Sequence, residues 1–294
     1  MQPFEYLAPT TLAEARELLK TPASGETRIL AGGTDLIVQM RGGARQPARV
    51  LDIKWLPESQ RLQLDTDAIY IGAGVPAAVL CEHPELRTEY PGVVEAIELI
   101  GSMQVQGRAT AVGNLCNASP AADSVPALFA AGAAARVVGA AGERWVPVED
   151  IPTGPGKTSL AADEFVIELK LPRMPARAAD AYQRFTPRAE MDIAVVGVGI
   201  CLSLDDAGLV TAARAAICAV APTVLLAPEV AEVLVGTRCD AAVLEEAGAR
   251  ASAMGNPLTD KRGTSTFRRH IAGVLTQRVA GVAYQRASQP GVAA

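Results

Sequence analysis

Two prolines and two arginines in six residues, Pro172-Arg173-Met174-Pro175-Ala176-Arg177, divide the sequence into parts with different hydrophobic patterns. Before this break, short apolar runs alternate with glycine-bearing turns. After it, long β-branched or apolar runs are followed by long amphipathic ones. Proline neither continues a helix nor donates to a strand ladder, so the segment reads as an exposed connection. The chain has 294 residues, and at roughly 100–200 residues per domain this length predicts about two domains. They are expected at 1–172 and 178–288, the first divided again into subdomains of about 1–55 and 56–172.

With 49% hydrophobic and 20% charged residues the chain can bury a core, and its net charge of −5 argues against a nucleic-acid partner. The five cysteines, Cys81, Cys116, Cys201, Cys218 and Cys239, are odd in number and contain no CxxC pair. They read as reduced core residues and offer no local zinc or iron–sulfur spacing, so no metal site is expected in this chain. The opening Met1–Thr10 carries Glu5 and no basic cluster, the opposite of a secretory signal, which predicts a cytoplasmic location. The apolar runs Ile193–Leu204 and Ala215–Pro228 fall short of the ~18 residues of a spanning helix, so no transmembrane segment is expected.

Along the first part, Thr11-x-x-Glu14 predicts a capping box opening a helix, with a turn at Thr21-Pro22. Thr27–Leu30 predicts a strand, Leu36–Met40 a helix capped by Thr34 or Asp35, and Val50–Ile53 a second strand. Strands at Arg61–Leu64 and Ala68–Ile71, helices at Ala77–Leu86 and Val93–Ile100, and strands at Arg136–Gly139, Arg144–Val146 and Phe165–Leu171 follow. Between them, Gly107–Ala131 shows no strong period until a helix from Asp123 or Ser124. After the break, Tyr182–Thr186, Ile193–Leu204 and Val210–Val220 read as strands and Asp205–Gly208 as a hairpin turn. Helices at Pro228–Val235, Asp240–Met254 and Ser265–Arg286 close a two-layer α+β domain, the last with Ile271, Val274, Leu275, Val279 and Val282 on one stripe.

Two segments could hold a ligand. Ala31-Gly32-Gly33-Thr34-Asp35 turns a strand into a helix with two glycines, which permits φ > 0 and lines the turn with N–H groups suited to phosphate. It is neither a G-x-G-x-x-G fingerprint nor a Walker loop, and a tight strand-to-helix turn also needs glycine for steric reasons alone. Thr110 to Pro126 gathers Asn114, Asn117, Ser119, Asp123 and Ser124 among small residues, and reads equally as a ligand loop or as a buried, self-capping loop.

Together with Gly154-Pro-Gly-Lys-Thr158 and Arg184-Phe-Thr-Pro-Arg-Ala-Glu-Met-Asp-Ile-Ala194, these segments give four ordered motifs. In them the chain resembles, almost end to end, the FAD-binding medium subunit of the molybdenum hydroxylases, the xanthine dehydrogenase and carbon monoxide dehydrogenase flavoprotein family. The resemblance implies an α+β protein: a two-subdomain FAD-binding fold of the vanillyl-alcohol oxidase type, then an α+β C-terminal domain with a three-stranded antiparallel sheet and helices. It implies that Ala31, Gly32, Gly33, Thr34, Asp35 and Leu36 wrap the FAD pyrophosphate with Thr110, Gly113 and Asn114. Asn117, Ser119 and Asp123 match positions holding the ribityl, phosphate and adenosine parts, while Lys157 and the Arg184–Asp192 loop match elements beside the flavin ring.

The function implied is that of an electron-transfer subunit of a molybdopterin-dependent dehydrogenase. Its FAD takes electrons from the 2Fe–2S clusters of a small partner subunit and passes them to an external acceptor. A large partner subunit would carry the molybdenum cofactor, and the whole would be a dimer of heterotrimers. No catalytic side chain is assigned, because the flavin carries the redox chemistry. A free-standing FAD-dependent oxidase or reductase, and a non-catalytic scaffold that has lost FAD, are the alternatives.

The branch with an inserted cysteine cluster does not fit, and His83 and His270, away from every motif, argue against a histidyl-flavin bond. Asp52, Glu95, Glu98, Asp163 and Glu164 read as surface or cap residues, Met103 and Met191 as gap fillers or flavin contacts, and Cys116 as a small apolar residue. One departure stands out: Val112 occupies the first glycine of the family's Thr-Ile-Gly-Gly-Asn. A β-branched residue resists φ > 0, which predicts weaker FAD retention unless the backbone there is already extended.

Overall fold

The computed structural model describes residues 2–21, 23–189 and 191–289. Pro22 of the expected turn and Glu190 of the Arg184–Asp192 loop lie outside the described residues.

The chain opens with β1 (Glu5–Leu7) and α1 (Leu12–Lys20). The Thr11 hydroxyl accepts the Glu14 N–H at 3.2 Å, and the Glu14 carboxylate accepts from the Thr10 N–H at 2.8 Å, so the capping box closes one residue early. β2 (Thr27–Leu30), α2 (Leu36–Arg41) and β3 (Arg49–Asp52) follow. β3 lies between β1 and β2, parallel to both. The strands therefore end together, and the glycine turn after β2 stands beside the end of β3. Asp52, expected as a surface or cap residue, is buried there; it caps the following turn through the Lys54 N–H at 3.1 Å and accepts from the Tyr6 hydroxyl at 2.6 Å.

Next come β4 (Leu62–Leu64), β5 (Ala68–Gly72), α3 (Ala77–Glu82), α4 (Pro84–Glu89) and α5 (Pro91–Glu98). The single helix expected over Ala77–Leu86 is two helices. Pro84 lacks an N–H and starts α4, where the His83 ring nitrogen Nδ1 accepts the Leu86 N–H at 3.3 Å. α6 (Met103–Gln106) precedes the stretch that showed no period, α7 (Ala111–Cys116) lies within it, and α8 (Ser124–Ala130) is the helix expected from Asp123 or Ser124. α6 and α7 have four and six residues, too few to repeat an apolar stripe.

β6 (Ala134–Gly139), β7 (Gly142–Pro147), the small β8–β9 pair (Pro152–Gly154 and Lys157–Thr158) and β10 (Glu164–Pro172) complete the first part. The large sheet runs β4-β5-β10-β6-β7, antiparallel throughout. Ile69, Ile71, Ile167, Leu169, Ala135 and Val137 on its central strands are buried in one core cluster that also takes in residues of α5 and α8.

After the break lie β11 (Ala178–Phe185), β12 (Val196–Leu204), β13 (Val210–Cys218) and β14 (Leu225–Leu226). The sheet has four strands where three were expected. β14 pairs only Leu226 with Ala216 and Leu225 with Ile217, and two residues leave no alternation to read. α9 (Pro228–Leu234), α10 (Ala241–Ala253) and α11 (Ser265–Ser288) cover one face. The expected α11 stripe is turned toward smaller residues: Ala272, Leu275, Val279 and Ala283 are buried, while Ile271 and Val282 are half-buried at its flank. Gly248 and Gly273 explain the shift, because a Cβ on Gly273 would stand 2.7 Å from the Gly248 carbonyl oxygen, so α10 and α11 meet backbone to backbone.

The two parts share packing. Tyr182, Ala216 and Cys218 belong to the core cluster of the first part. The Asp180 carboxylate on β11 accepts the Gly92 and Val93 N–H groups of α5, each at 2.8 Å, and Arg286 of α11 pairs with Glu95. Among the described residues no helix is long and apolar enough to cross a membrane.

Candidate functional site

A cleft of about 780 Å³ lies between the parallel and antiparallel sheets. This is within the usual range for cofactor pockets, roughly 300–1,000 Å³. Its walls include Ala31, Gly32, Gly33, Thr34, Asp35 and Leu36 from the turn after β2, and Thr110, Gly113, Asn114 and Asn117 from α7 and its ends. Segments about eighty residues apart in sequence therefore face one space.

Two glycines make that approach sterically feasible. A Cβ on Gly32 would fall 2.1 Å from the Arg108 carbonyl oxygen, so only glycine lets the first turn lie against the chain entering α7. Gly33 has φ +79°, a left-handed conformation that closes the turn, and the Ile37 N–H then reaches its carbonyl at 3.0 Å. The Gln39 amide donates to the Asn117 side-chain oxygen at 3.1 Å, a second tie between the segments.

Donors gather at the turn. The Asp35 side chain makes no capping bond, so the first N–H groups of α2 lack a side-chain acceptor. In α7 the Thr110 hydroxyl accepts only the Gly113 N–H, at 2.9 Å. Free N–H groups at helix starts, on a backbone stripped of side chains, suit the phosphate oxygens of a dinucleotide. The donor chemistry and the glycine cradle fit FAD.

Four expected residues, Ser119, Asp123, Lys157 and Arg184, lie outside the lining of this cleft. Asp123 and Arg184 pair with each other at 2.7 Å, both nearly buried, and Arg184 also donates to the Leu99 carbonyl at 3.0 Å. The Tyr182 hydroxyl donates to the other Asp123 oxygen at 3.4 Å. Burial pushes Asp123 up to about 6 against the opposing pull of Arg184, and pushes the Tyr182 hydroxyl well above its usual value. The Ser119 hydroxyl accepts the Ala121 N–H at 3.3 Å, and Lys157 is exposed on the β8–β9 pair.

Met103 and Met191 are 81% and 59% exposed and neither lines the cleft. Cys116 does line it, but desolvation pushes its thiol up to about 12, which makes it an apolar wall rather than a thiolate. Val112 departs from expectation. It is the second residue of α7, buried, and absent from the residues with positive φ, so the backbone there is ordinary helix and no strain attaches to its β-branch.

Sequence reasoning did not find Gln39, Ile100, the β2 residues Thr27 to Ile29, or Leu160 to Val166, all on the cleft wall. The apolar residues among them read as core, and only the fold shows that β2 is an edge strand whose open side faces the cleft.

Residues 2–174 match the family described as the FAD binding domain in molybdopterin dehydrogenase, and residues 180–283 match the CO dehydrogenase flavoprotein C-terminal domain. Fold and cleft thus define an FAD-binding oxidoreductase subunit. The chain belongs to the FAD-binding medium subunits of the molybdenum hydroxylases, the family that includes the carbon monoxide and xanthine dehydrogenase flavoprotein subunits. It is 33% identical to the nicotinate dehydrogenase FAD-subunit of Eubacterium barkeri over 72% of each chain. It is 30% identical to the carbon monoxide dehydrogenase medium chain of Afipia carboxidovorans over 97% of this chain and 98% of that one. The structure superposes on a chain of the reconstituted CO dehydrogenase from Oligotropha carboxidovorans with a TM-score of 0.91 and 28% identity, covering 97% of this chain and 99% of the other.

Proposed function

We propose that this chain holds FAD in the cleft and serves as an electron-transfer subunit, taking electrons from the 2Fe–2S clusters of a small partner subunit and delivering them to an external acceptor. A large partner subunit would carry the molybdenum cofactor and the substrate, in a cytoplasmic dimer of heterotrimers. The domain division at 1–172 and 178–288 belongs to the same reading. The observation that carries it is the close approach of Gly32 to Arg108, which joins two N–H-rich segments along one cleft.

When bound, FAD would supply the exchange between one-electron donors and an external acceptor. The protein's own part is binding and orientation. Ala31 to Leu36 would hold the pyrophosphate through backbone N–H groups, with Thr110, Gly113 and Asn114 opposite. Asn117 stands at the same wall, tied to Gln39. Asp123 and Arg184 would brace that wall from behind, joining β11 to the start of α8 and to Leu99 next to Ile100. Ser119 and Lys157 would meet the cofactor from the rim. The reading in which FAD has been lost drew on Val112; the helical backbone of α7 removes the strain from that argument, while the Val112 side chain stands on the cleft wall.

Gly33→Val tests the assignment. The new side chain would have to sit at φ +79°, with its Cβ 2.7 Å from Leu30 Cδ1, and close off the turn. The expected result is a folded protein stripped of flavin absorbance. Unchanged FAD content would reject the turn as the pyrophosphate site.

A further inference from the structure

Asn114 does two things at once. It lines the cleft, and its side-chain oxygen Oδ1 accepts two hydrogen bonds from Ser124, one from the backbone N–H at 3.2 Å and one from the hydroxyl at 2.8 Å. Ser124 is the first residue of α8 and fully buried. Asp123, the residue before it, makes no capping bond to α8 because its carboxylate is engaged by Arg184. Asn114 of α7 therefore takes over the cap of α8 from outside the helix.

A carboxamide has an acceptor end and a donor end. With two donors held on Oδ1, the amide nitrogen Nδ2 has to face away from α8, and it donates to no group among the described residues. Were the amide turned over, Nδ2 would meet the Ser124 backbone N–H, a donor that would lose its acceptor at a buried residue; the hydroxyl, able to donate or accept, only strengthens the hold.

Building on the FAD reading above, we propose that Ser124 is a positioning residue that locks the Asn114 carboxamide with its N–H₂ toward the cleft, so that Asn114 serves only as a donor to an acceptor atom of the cofactor. The Ser124 N–H sets the amide's direction and the hydroxyl holds it there, so losing the hydroxyl leaves one bond where two now fix the carboxamide.

The test is the FAD dissociation constant of the full chain, read by flavin fluorescence, for wild type, Ser124→Ala, Asn114→Ala and the double variant, each checked for folding by thermal melting without FAD. Ser124→Ala is expected to weaken FAD binding about five- to tenfold. In the Asn114→Ala background the same change is expected to add less than twofold. An unchanged dissociation constant in Ser124→Ala, or its full effect persisting without Asn114, overturns the proposal. Should Ser124→Ala fail to fold, Asn114→Asp decides. Its carboxylate still accepts both Ser124 donors but offers the cleft no N–H, so FAD affinity should fall while melting holds, and equal affinity overturns the proposal. A folded wild-type chain that takes up no added FAD rejects the flavin reading itself, an outcome separate from any difference among the variants.

Discussion

Gly32 lies against Arg108 so closely that a Cβ would stand 2.1 Å from the Arg108 carbonyl oxygen, which brings the first turn against the chain entering α7. Its neighbour Ala109 donates nothing to the turn; the Ala109 carbonyl instead accepts the Ala77 N–H at 2.7 Å, at the start of α3. The wall opposite the first turn is thus rigid backbone on both sides, with no flexible side chain able to yield.

Gly32→Ala should accordingly force the two segments apart. We expect a stability loss of about 1–3 kcal/mol, the usual cost of overpacking, together with loss of FAD. Gly43→Ala is the control: φ is +76° but nothing lies within 4 Å of the added Cβ. It should cost about 1–2 kcal/mol through backbone strain alone and leave FAD content intact. Melting and flavin absorbance of the two variants check this.

Val112→Gly is expected not to improve FAD binding. The residue it replaces is buried in α7 with a helical backbone, so glycine removes apolar contact and adds helix-disfavouring freedom. A destabilisation of about 2 kcal/mol or more should follow. Titration of both proteins with FAD checks it, and tighter binding in the glycine variant would show that the valine obstructs the cofactor.

The Asp123 carboxyl sets a pH dependence of defined sign. Its value in the folded protein is raised to about 6 by burial, from an ordinary 3.8. The folded state therefore binds the proton more tightly than the unfolded state. The stability this group contributes is full below about pH 4 and is lost as pH rises through about 6, by at most about 3 kcal/mol. Wild type should lose more melting temperature than Asp123→Asn between pH 4 and pH 7. A parallel pH profile for the two proteins would contradict it.

At the junction of the two parts, Gly92→Ala should be far more damaging than Arg286→Ala. A Cβ on Gly92 would meet the Ala181 backbone nitrogen at 2.6 Å and press on the Asp180 carboxylate that caps α5. The Arg286–Glu95 pair is 30% and 32% exposed, where ion pairs contribute roughly 0–1 kcal/mol. Chemical denaturation should show a loss of several kcal/mol for the first variant and within about 1 kcal/mol for the second.

The sequence by itself determined the elements whose signals are local. Thr11 as a cap, the turn at Gly32-Gly33, the Asp205–Gly208 hairpin and the α10 and α11 helices all follow from side-chain chemistry and periodicity within one stretch of chain. The motifs also gave the family, because residue types in order survive without coordinates. Tertiary structure alone decided what depends on distant neighbours. It split the helix at His83-Pro84, added the two-residue β14, turned α11 toward its small residues and gave Val112 a helical rather than a strained backbone. It also drew Asp123 away from its own helix to Arg184, which left Asn114 to cap α8. A carboxylate or carboxamide chooses its partner by what packs within about 3 Å, and that distance is set by long-range packing that no local pattern records.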